Sequence, residues 1–163
     1  MNESNSAFID EMDAGIIRSL FHRPRATVVG VAEALAVSRS TVQTRLARLE
    51  AMGILGYGSL HRIPALLGYG ITAFIAIEAR QSDSDHLCAD LRRIPEVVEA
   101  YAMTGADDVL CKVVARSTAD LGRIARRIAE CDVAQRVRTS VIVADVLPHR
   151  LEPLLDAHTE HNR

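Results

Sequence analysis

The hydrophobic period of this chain first departs from that of a helix at residue 71, and that change bounds what it can fold into. Through residue 62 apolar residues recur every three or four positions, as in helices that bury one face. From residue 71 they alternate, as in ITAFIAIEA, which is the period of a strand. A chain of 163 residues is long enough for one ordinary domain or two small ones, and the shift in period divides it in two. The expected class is α+β, with residues 1–62 a helical domain, 63–70 a linker, 71–150 a sheet-and-helix domain and 151–163 a C-terminal tail.

Three helices are expected in the first domain. Asp10 is placed to cap a helix carrying Ile16, Ile17 and Leu20, and HRPRAT interrupts the pattern: Pro24 stops one helix and Thr27 caps the next. The second helix puts Val28, Val31, Ala32 and Leu35 on its apolar side. After the tight connection Ala36-Val37, Ser38 is the N-cap of a third helix that runs to about Met52 and ends at Gly53. Val42, Leu46 and Leu49 line its buried face, so Arg39, Ser40, Gln43, Thr44, Ala47 and Arg48 point away. Beyond Gly53, ILGYGSLHRI reads as a short extended segment, a wing or hairpin, and RIPALLGYG as the join.

The second domain alternates strands with helices. ITAFIAIEA is a strand; DSDHLCADLRRIP is a helix with Leu87, Leu91 and Ile94 on one side; VVEAYAMTG and DVLCKVVA are strands joined at GADD. Ser117, with Asp120 at the third position, caps a helix whose stripe is Leu121, Ile124 and Ile128, and VRTSVIVADVL closes the series as a strand. The order βαββαβ is that of a ferredoxin-like sandwich, which packs both helices on one sheet face and leaves the other open. Apolar residues on both faces of ITAFIAIEA and VIVADVL call for a cover over that open face, most simply a second copy of the chain.

A net charge of −2 argues at first against a nucleic-acid partner, but the distribution reverses that reading. Between Ser38 and Arg62 four arginines (Arg39, Arg45, Arg48, Arg62) stand against one acid, Glu50, whereas residues 63–163 hold 12 basic and 15 acidic side chains. Two helices joined by a tight turn, the second capped by Ser and polar outside, fit a helix-turn-helix. Such a helix enters the major groove of double-stranded DNA if its first turns carry groups that bond base edges while nearby arginines hold phosphates. Ser38, Arg39, Ser40 and Thr41 at the helix start, then Gln43, Thr44 and Arg48, supply both kinds of group: base reading is assigned to some of Arg39, Ser40, Thr41, Gln43 and Thr44, and phosphates to Arg45 and Arg48. Arg45, one residue before buried Leu46, would pack its stem on the domain and reach out with its head.

Other classes have little support. Cys88, Cys111 and Cys131 are odd in number and lack histidines at ligand spacing, so neither disulfides nor a metal site is expected, and no cofactor. His158 and His161 lie in a polar tail, LLDAHTEHNR, expected to fray. No apolar run approaches the roughly 20 residues a membrane span needs, and MNESNSAFIDEMD has acids where a secretion signal is basic, so a cytoplasmic location is expected. Asp107-Asp108 is a paired acid without a nucleophile arrangement, which gives no case for an enzyme. A single-strand RNA binder would need an aromatic stacking platform that is missing.

The residues resemble the Lrp/AsnC, or feast/famine, family of transcription regulators. IDEMDAGIIRSL is similar to that family's opening L-D-x-x-D-x-x-I-L, with Ile9 in place of leucine, and RATVVGVAEALAVSRSTVQTRLARLEAMGIL follows its helix-turn-helix pattern. LLGYGITAFIAIEA, IPEVVEAYAMTGADDVLCKV and VRTSVIVADVL extend the likeness over roughly residues 9–148. The resemblance implies an N-terminal winged helix-turn-helix and a ferredoxin-like domain that binds a small-molecule effector, usually an amino acid, between dimers. It also implies a homodimer assembling to an octamer around which DNA wraps.

On that resemblance Thr104, Gly105, Asp108, Thr139 and Ser140 are the candidate effector-binding residues. Gly105 and Asp108 have a second reading as ordinary turn residues, and Thr139 and Ser140 as ordinary strand residues. The turn Gly105-Ala106-Asp107-Asp108 departs from the family's usual Gly, acid, aromatic, Asp at its two middle positions. Ala36 replaces the glycine often found in the helix-turn-helix bend. One rival shares the two-domain plan: the sirohaem decarboxylases, which act on a tetrapyrrole and need no basic third helix. Arg39, Gln43, Arg45 and Arg48 favour the regulator.

Overall fold

A computed structural model describes residues 9–54, 63–79, 84–147 and 150–161. The chain divides into two compact units, Met1–Leu67 with His149–Arg163, and Gly68–Pro148. Each has its own apolar core.

The first unit is built from α1 (Glu11–His22), α2 (Val28–Leu35), α3 (Arg39–Ala51) and α4 (Ile63–Leu66), and α7 (Glu152–His161) is grouped with it. The caps lie where the sequence puts them. Asp10 and Asp13 form a reciprocal capping box on α1, and Thr27 Oγ1 accepts from the Gly30 N–H at 3.2 Å on α2. Ile16, Val31, Val42, Leu49 and Ile54 are at most 2% exposed and form the centre of the bundle, with Leu46 half-buried beside them. Each such aliphatic side chain contributes about 1.5–3 kcal/mol by leaving water.

Two helix ends use the same device with different residues. After α3 the Ile54 N–H reaches the Leu49 carbonyl at 2.9 Å and the Gly53 N–H the Glu50 carbonyl at 2.8 Å, with Gly53 at φ 67°. After α2 the Val37 N–H reaches the Ala32 carbonyl at 3.0 Å and the Ala36 N–H the Glu33 carbonyl at 3.3 Å, with Ala36 at φ 54°. Both are Schellman ends, and both need a left-handed residue. Ala36 fills that position with a Cβ, and among the described residues it alone has positive φ without being glycine.

Two sequence expectations change, and a third falls outside the described residues. Residues 63–66 form one helical turn rather than plain linker: Ile63 and Leu66 pack on the first core, and the Leu66 carbonyl accepts from the Ile9 N–H at 3.2 Å. The tail expected to fray contains α7. The wing read into 54–63 falls, apart from its end residues Ile54 and Ile63, outside the described residues.

The second unit contains β1 (Ile71–Ala79), α5 (Ser84–Arg92), β2 (Val97–Ala102), β3 (Val109–Ala115), α6 (Thr118–Ala129) and β4 (Ala134–Val141). The sheet order is β2-β3-β1-β4 and every pairing is antiparallel, which is the ferredoxin-like arrangement. Ala73, Ile75 and Ile77 on β1 turn to the covered face, where Leu87 and Leu91 of α5 and Ile124 and Ile128 of α6 close the core. Ser117 caps α6 by accepting from the Asp120 N–H at 3.1 Å. Burial pushes the Cys111 thiol up to about 11, so it stays protonated as a small core residue.

The last strand begins three residues before VRTSVIVADVL and ends six before its close. Beyond Val141, Ile142 still donates to the Thr72 carbonyl at 2.9 Å, but Val143 and Val146 are 96% and 97% exposed. The β1–β4 pairing closes at Ala73 and Val141 with that one bond to Thr72 beyond it, so the residues after Ile142 have no ladder to hold them against the sheet.

Replacing Ala36 by glycine should remove the Cβ penalty of the left-handed position. We expect the first unit to gain about 0.5–1 kcal/mol in denaturant unfolding, with no change in the unit that holds the sheet.

Candidate functional site

The third helix presents its polar side as the sequence indicates. Arg39, Ser40, Gln43 and Thr44 are exposed, Thr41 is half-buried, and Ala47 is exposed on the next turn of the same side. The Ser38 hydroxyl accepts from the Thr41 N–H at 3.0 Å, and it also shares hydrogen bonds with the Ser40 hydroxyl at 2.8 Å and the Thr41 hydroxyl at 2.7 Å. The capping hydroxyl and two of the hydroxyls assigned to base reading are therefore joined in one cluster at the helix start, and Gln43, Thr44 and Arg39 stand beside it.

Arg45 and Arg48, assigned to phosphates from the sequence, are both engaged in ion pairs within the first unit. Both sit on the flank of α3 that faces α1. Arg45 Nη1 donates to Asp13 Oδ1 at 3.1 Å and pairs with Asp10 Oδ2, while Arg48 Nη1 donates to Asp13 Oδ2 at 2.6 Å. The Asp13 side chain is fully buried, whereas those of Arg45 and Arg48 are 31% and 37% exposed. Removing a partner from such a buried charge typically costs about 3–5 kcal/mol, because the remaining charge is left without water or counter-ion.

The capping box completes the cluster. Asp10 Oδ1 accepts from the Asp13 N–H at 2.8 Å, and Asp13 Oδ2 from the Asp10 N–H at 3.2 Å. The Asp13 N–H first, and the Arg45 guanidinium second, hold the Asp10 carboxyl below its ordinary value of 3.8. Sequence reasoning saw Asp10 only as a cap and gave Asp13 no role. The available signal was the shared spacing of three, Asp10–Asp13 on one helix and Arg45–Arg48 on another, which has meaning only once the helices pack.

In the second unit the structure brings some of the effector candidates together and separates others. Gly105 lies in the β2–β3 turn at φ 123°, a backbone conformation that a side chain strains, and Thr104 beside it is exposed. Asp108 stitches that turn to the end of β1: its carboxylate accepts from the Ala79 N–H at 2.7 Å, and its own N–H donates to the Ile77 carbonyl at 2.9 Å. Thr139 pairs with Ile75 on the helix-covered face, whereas Ser140 pairs with Phe74 on the open face, so the two hydroxyls project oppositely. Sequence reasoning missed Arg138, which reaches from β4 to Asp107 in the turn.

The open sheet face is more polar than the apolar strand pattern suggested. Phe74, Leu110 and Tyr101 share it with Lys112, which pairs with Glu99 at 3.1 Å, and with Arg138. Its apolar residues are partly uncovered: Tyr101 is 51% exposed.

A capped helix with an outward polar face, second of a helix-turn-helix pair, and a separate ferredoxin-like unit define a DNA-binding regulator with an accessory domain. Comparison with known proteins narrows this. Residues 9–50 match the AsnC-type helix-turn-helix domain and residues 72–151 the Lrp/AsnC ligand binding domain. The chain belongs to the Lrp/AsnC family of transcriptional regulators.

It is 30% identical over 142 residues to an HTH-type transcriptional regulator of Pyrococcus abyssi, covering 86% of this chain and 90% of that one. The solved structure of Escherichia coli AsnC is similar with a TM-score of 0.53 and 28% identity, over 90% of this chain and 99% of that one. A Neisseria meningitidis transcriptional regulator solved as an L-Met complex is similar with a TM-score of 0.51 and 26% identity, over 89% and 98% of the two chains. These relatives are regulators, and nothing in them supports the decarboxylase reading.

Two outcomes test the local geometry. Ser38→Ala should cost the first unit about 1 kcal/mol in thermal or denaturant unfolding through the lost cap. Asp10, with its carboxyl lowered in the folded state, adds stability that is complete above about pH 4 and is lost as pH falls through its folded value. Unfolding midpoints of the first unit should hold from neutral pH to that point and fall below it, with part of the fall absent in Asp10→Asn.

Proposed function

We propose that the protein binds double-stranded DNA sequence-specifically as a homo-oligomer, inserting α3 into the major groove, and that an amino acid or related metabolite adjusts this binding. The observation that carries the reading is the exposed polar side of α3, where Arg39, Gln43 and Thr44 stand next to the Ser38–Ser40–Thr41 cluster. Carboxamide, hydroxyl and guanidinium groups at the start of a helix match the donor and acceptor pattern of base edges, and the helix N-terminus favours phosphate. The work is that of an intracellular, cytoplasmic protein without enzymatic activity.

A homodimer follows from energetics as much as from family. One small helix-turn-helix makes few contacts, whereas two copies engage half-sites a helical turn or a multiple of it apart and combine their energies. Tyr101, Val141, Val143 and Val146 are 50% or more exposed in the sheet unit, and burying them between copies removes that apolar surface from water. Assembly of dimers to an octamer is the family pattern that the resemblance implies.

The effector site we assign to Thr104, Gly105, Asp108, Thr139 and Ser140, centred on the β2–β3 turn. Asp107 and Arg138 add one charge of each sign there, which suits the ammonium and carboxylate of an amino acid. Binding that differs between two assemblies then shifts their populations and, with them, the spacing of the reading helices.

Footprinting on the DNA upstream of its own and neighbouring genes, repeated with a panel of amino acids, tests the whole reading. A protected site with repeats about one helical turn apart, altered by at least one amino acid, is expected; absence of any protected site overturns it. Gln43→Ala should blur sequence preference, and Arg39→Ala should lower the salt slope of binding by about one unit. A purified protein coloured by a bound tetrapyrrole would instead support the decarboxylase.

A further inference from the structure

Among the described arginines from Arg18 to Arg48, two differ from the others. Arg18, Arg23, Arg25 and Arg39 are exposed and carry no ion pair among the described residues. Arg45 and Arg48 are held against Asp10 and Asp13, and one of those carboxylates is fully buried. A buried carboxylate cannot be left without its counter-ions, so the two guanidiniums are not available to move to another anion unless Asp13 loses its partners.

We propose that Asp13 is a positioning and charge-setting residue for DNA recognition: its buried carboxylate fixes the flank of α3 against α1 and withholds Arg45 and Arg48 from the phosphates. This inference rests on the DNA-binding reading above and deepens it. The two oxygens of Asp13 are divided between the two arginines, Oδ1 at 3.1 Å from Arg45 and Oδ2 at 2.6 Å from Arg48. One carboxylate thereby fixes two points of α3, and these lie three residues apart, nearly one helical turn. A helix clamped at two such points resists rotation about its own axis, so Gln43 and Thr44 keep one orientation toward a groove.

The second consequence concerns charge. Phosphate contact is sequence-independent, and every additional free cation strengthens binding to any duplex. Holding Arg45 and Arg48 on carboxylates limits that general attraction, so discrimination rests on groups that read base edges. Asp10 contributes to the same effect from a half-exposed position, where its side chain is 47% exposed and bonded to Arg45.

The test uses the full-length protein and measures affinity for the footprinted site and for a random-sequence duplex over a salt series. Asp13→Asn keeps the shape of the side chain and removes its charge. We expect it to bind the random duplex several-fold more tightly at low salt, to steepen the slope of log K against log salt by about one, and to reduce the ratio of specific to random affinity about ten-fold. Asp13→Glu retains the charge and should keep the wild-type slope even where its stability falls. If Asp13→Asn does not fold, Asp13→Ser carries the test, since it also removes the charge and its smaller hydroxyl is less costly to bury than an unpaired amide.

A folded variant of either kind with unchanged slope and unchanged ratio overturns the inference. Wild-type protein that binds neither duplex overturns the regulator reading and this inference with it. Wild-type binding with unaltered variants sinks only the inference.

Discussion

A carboxylate removed from water has to be met by positive charge, and the Asp13 side chain, fully buried, is met by Arg45 and Arg48 from a helix more than thirty residues away. That requirement sets more of the first unit than any apolar contact does. Ile16, Val42 and Leu49 make α1 and α3 adhere, but an aliphatic contact tolerates small rotations and slides. Hydrogen bonds to two separate carboxylate oxygens do not. With Arg45 and Arg48 tied to α1, the outward direction of Gln43 and Thr44 is held against rotation of α3.

The second unit solves a different problem, that of presenting one sheet face to two helices while leaving the other available. Its covered face is mainly aliphatic, from Ile75 and Ile77 to Ile124 and Ile128, with Cys111 and Cys131 among them. The other mixes Phe74, Leu110 and Tyr101 with the Glu99–Lys112 pair and Arg138. Ionic groups interleaved with aromatic ones impose a direction on any surface that meets them, because an unpaired charge is costly to bury. The β2–β3 turn is held to β1 by the Asp108 carboxylate and N–H, which leaves Thr104 and Gly105 at the surface.

Much of this was legible in the chain. Asp10, Thr27, Ser38 and Ser117 act as caps where their spacing indicates, and the stripes Val42–Leu49 and Leu121–Ile128 are buried as their period requires. Caps and stripes are readable because they depend on residues within one or two turns. The end of β4 was not readable, since its pairing with β1 closes at Ala73 and Val141 while the apolar pattern of VIVADVL runs on past it. Nor was α4, whose Ile63 and Leu66 look like linker until the first core gives them something to pack on. Among site residues, exposure of Arg39, Gln43 and Thr44 followed from the helix period, whereas the opposite projection of Thr139 and Ser140 follows from strand register.

The amino-acid sequence by itself determined the two periods, the helix starts and stops, the order βαββαβ and the family to which they belong. All of these are local or pattern properties, carried by hydrogen bonds and apolar spacing over a few residues. Only the tertiary structure decided which cations are spent inside the protein, because Asp10 and Asp13 meet Arg45 and Arg48 across 32 to 35 positions of chain. Coulomb attraction depends on distance in space and on burial, and a linear order of residues contains neither.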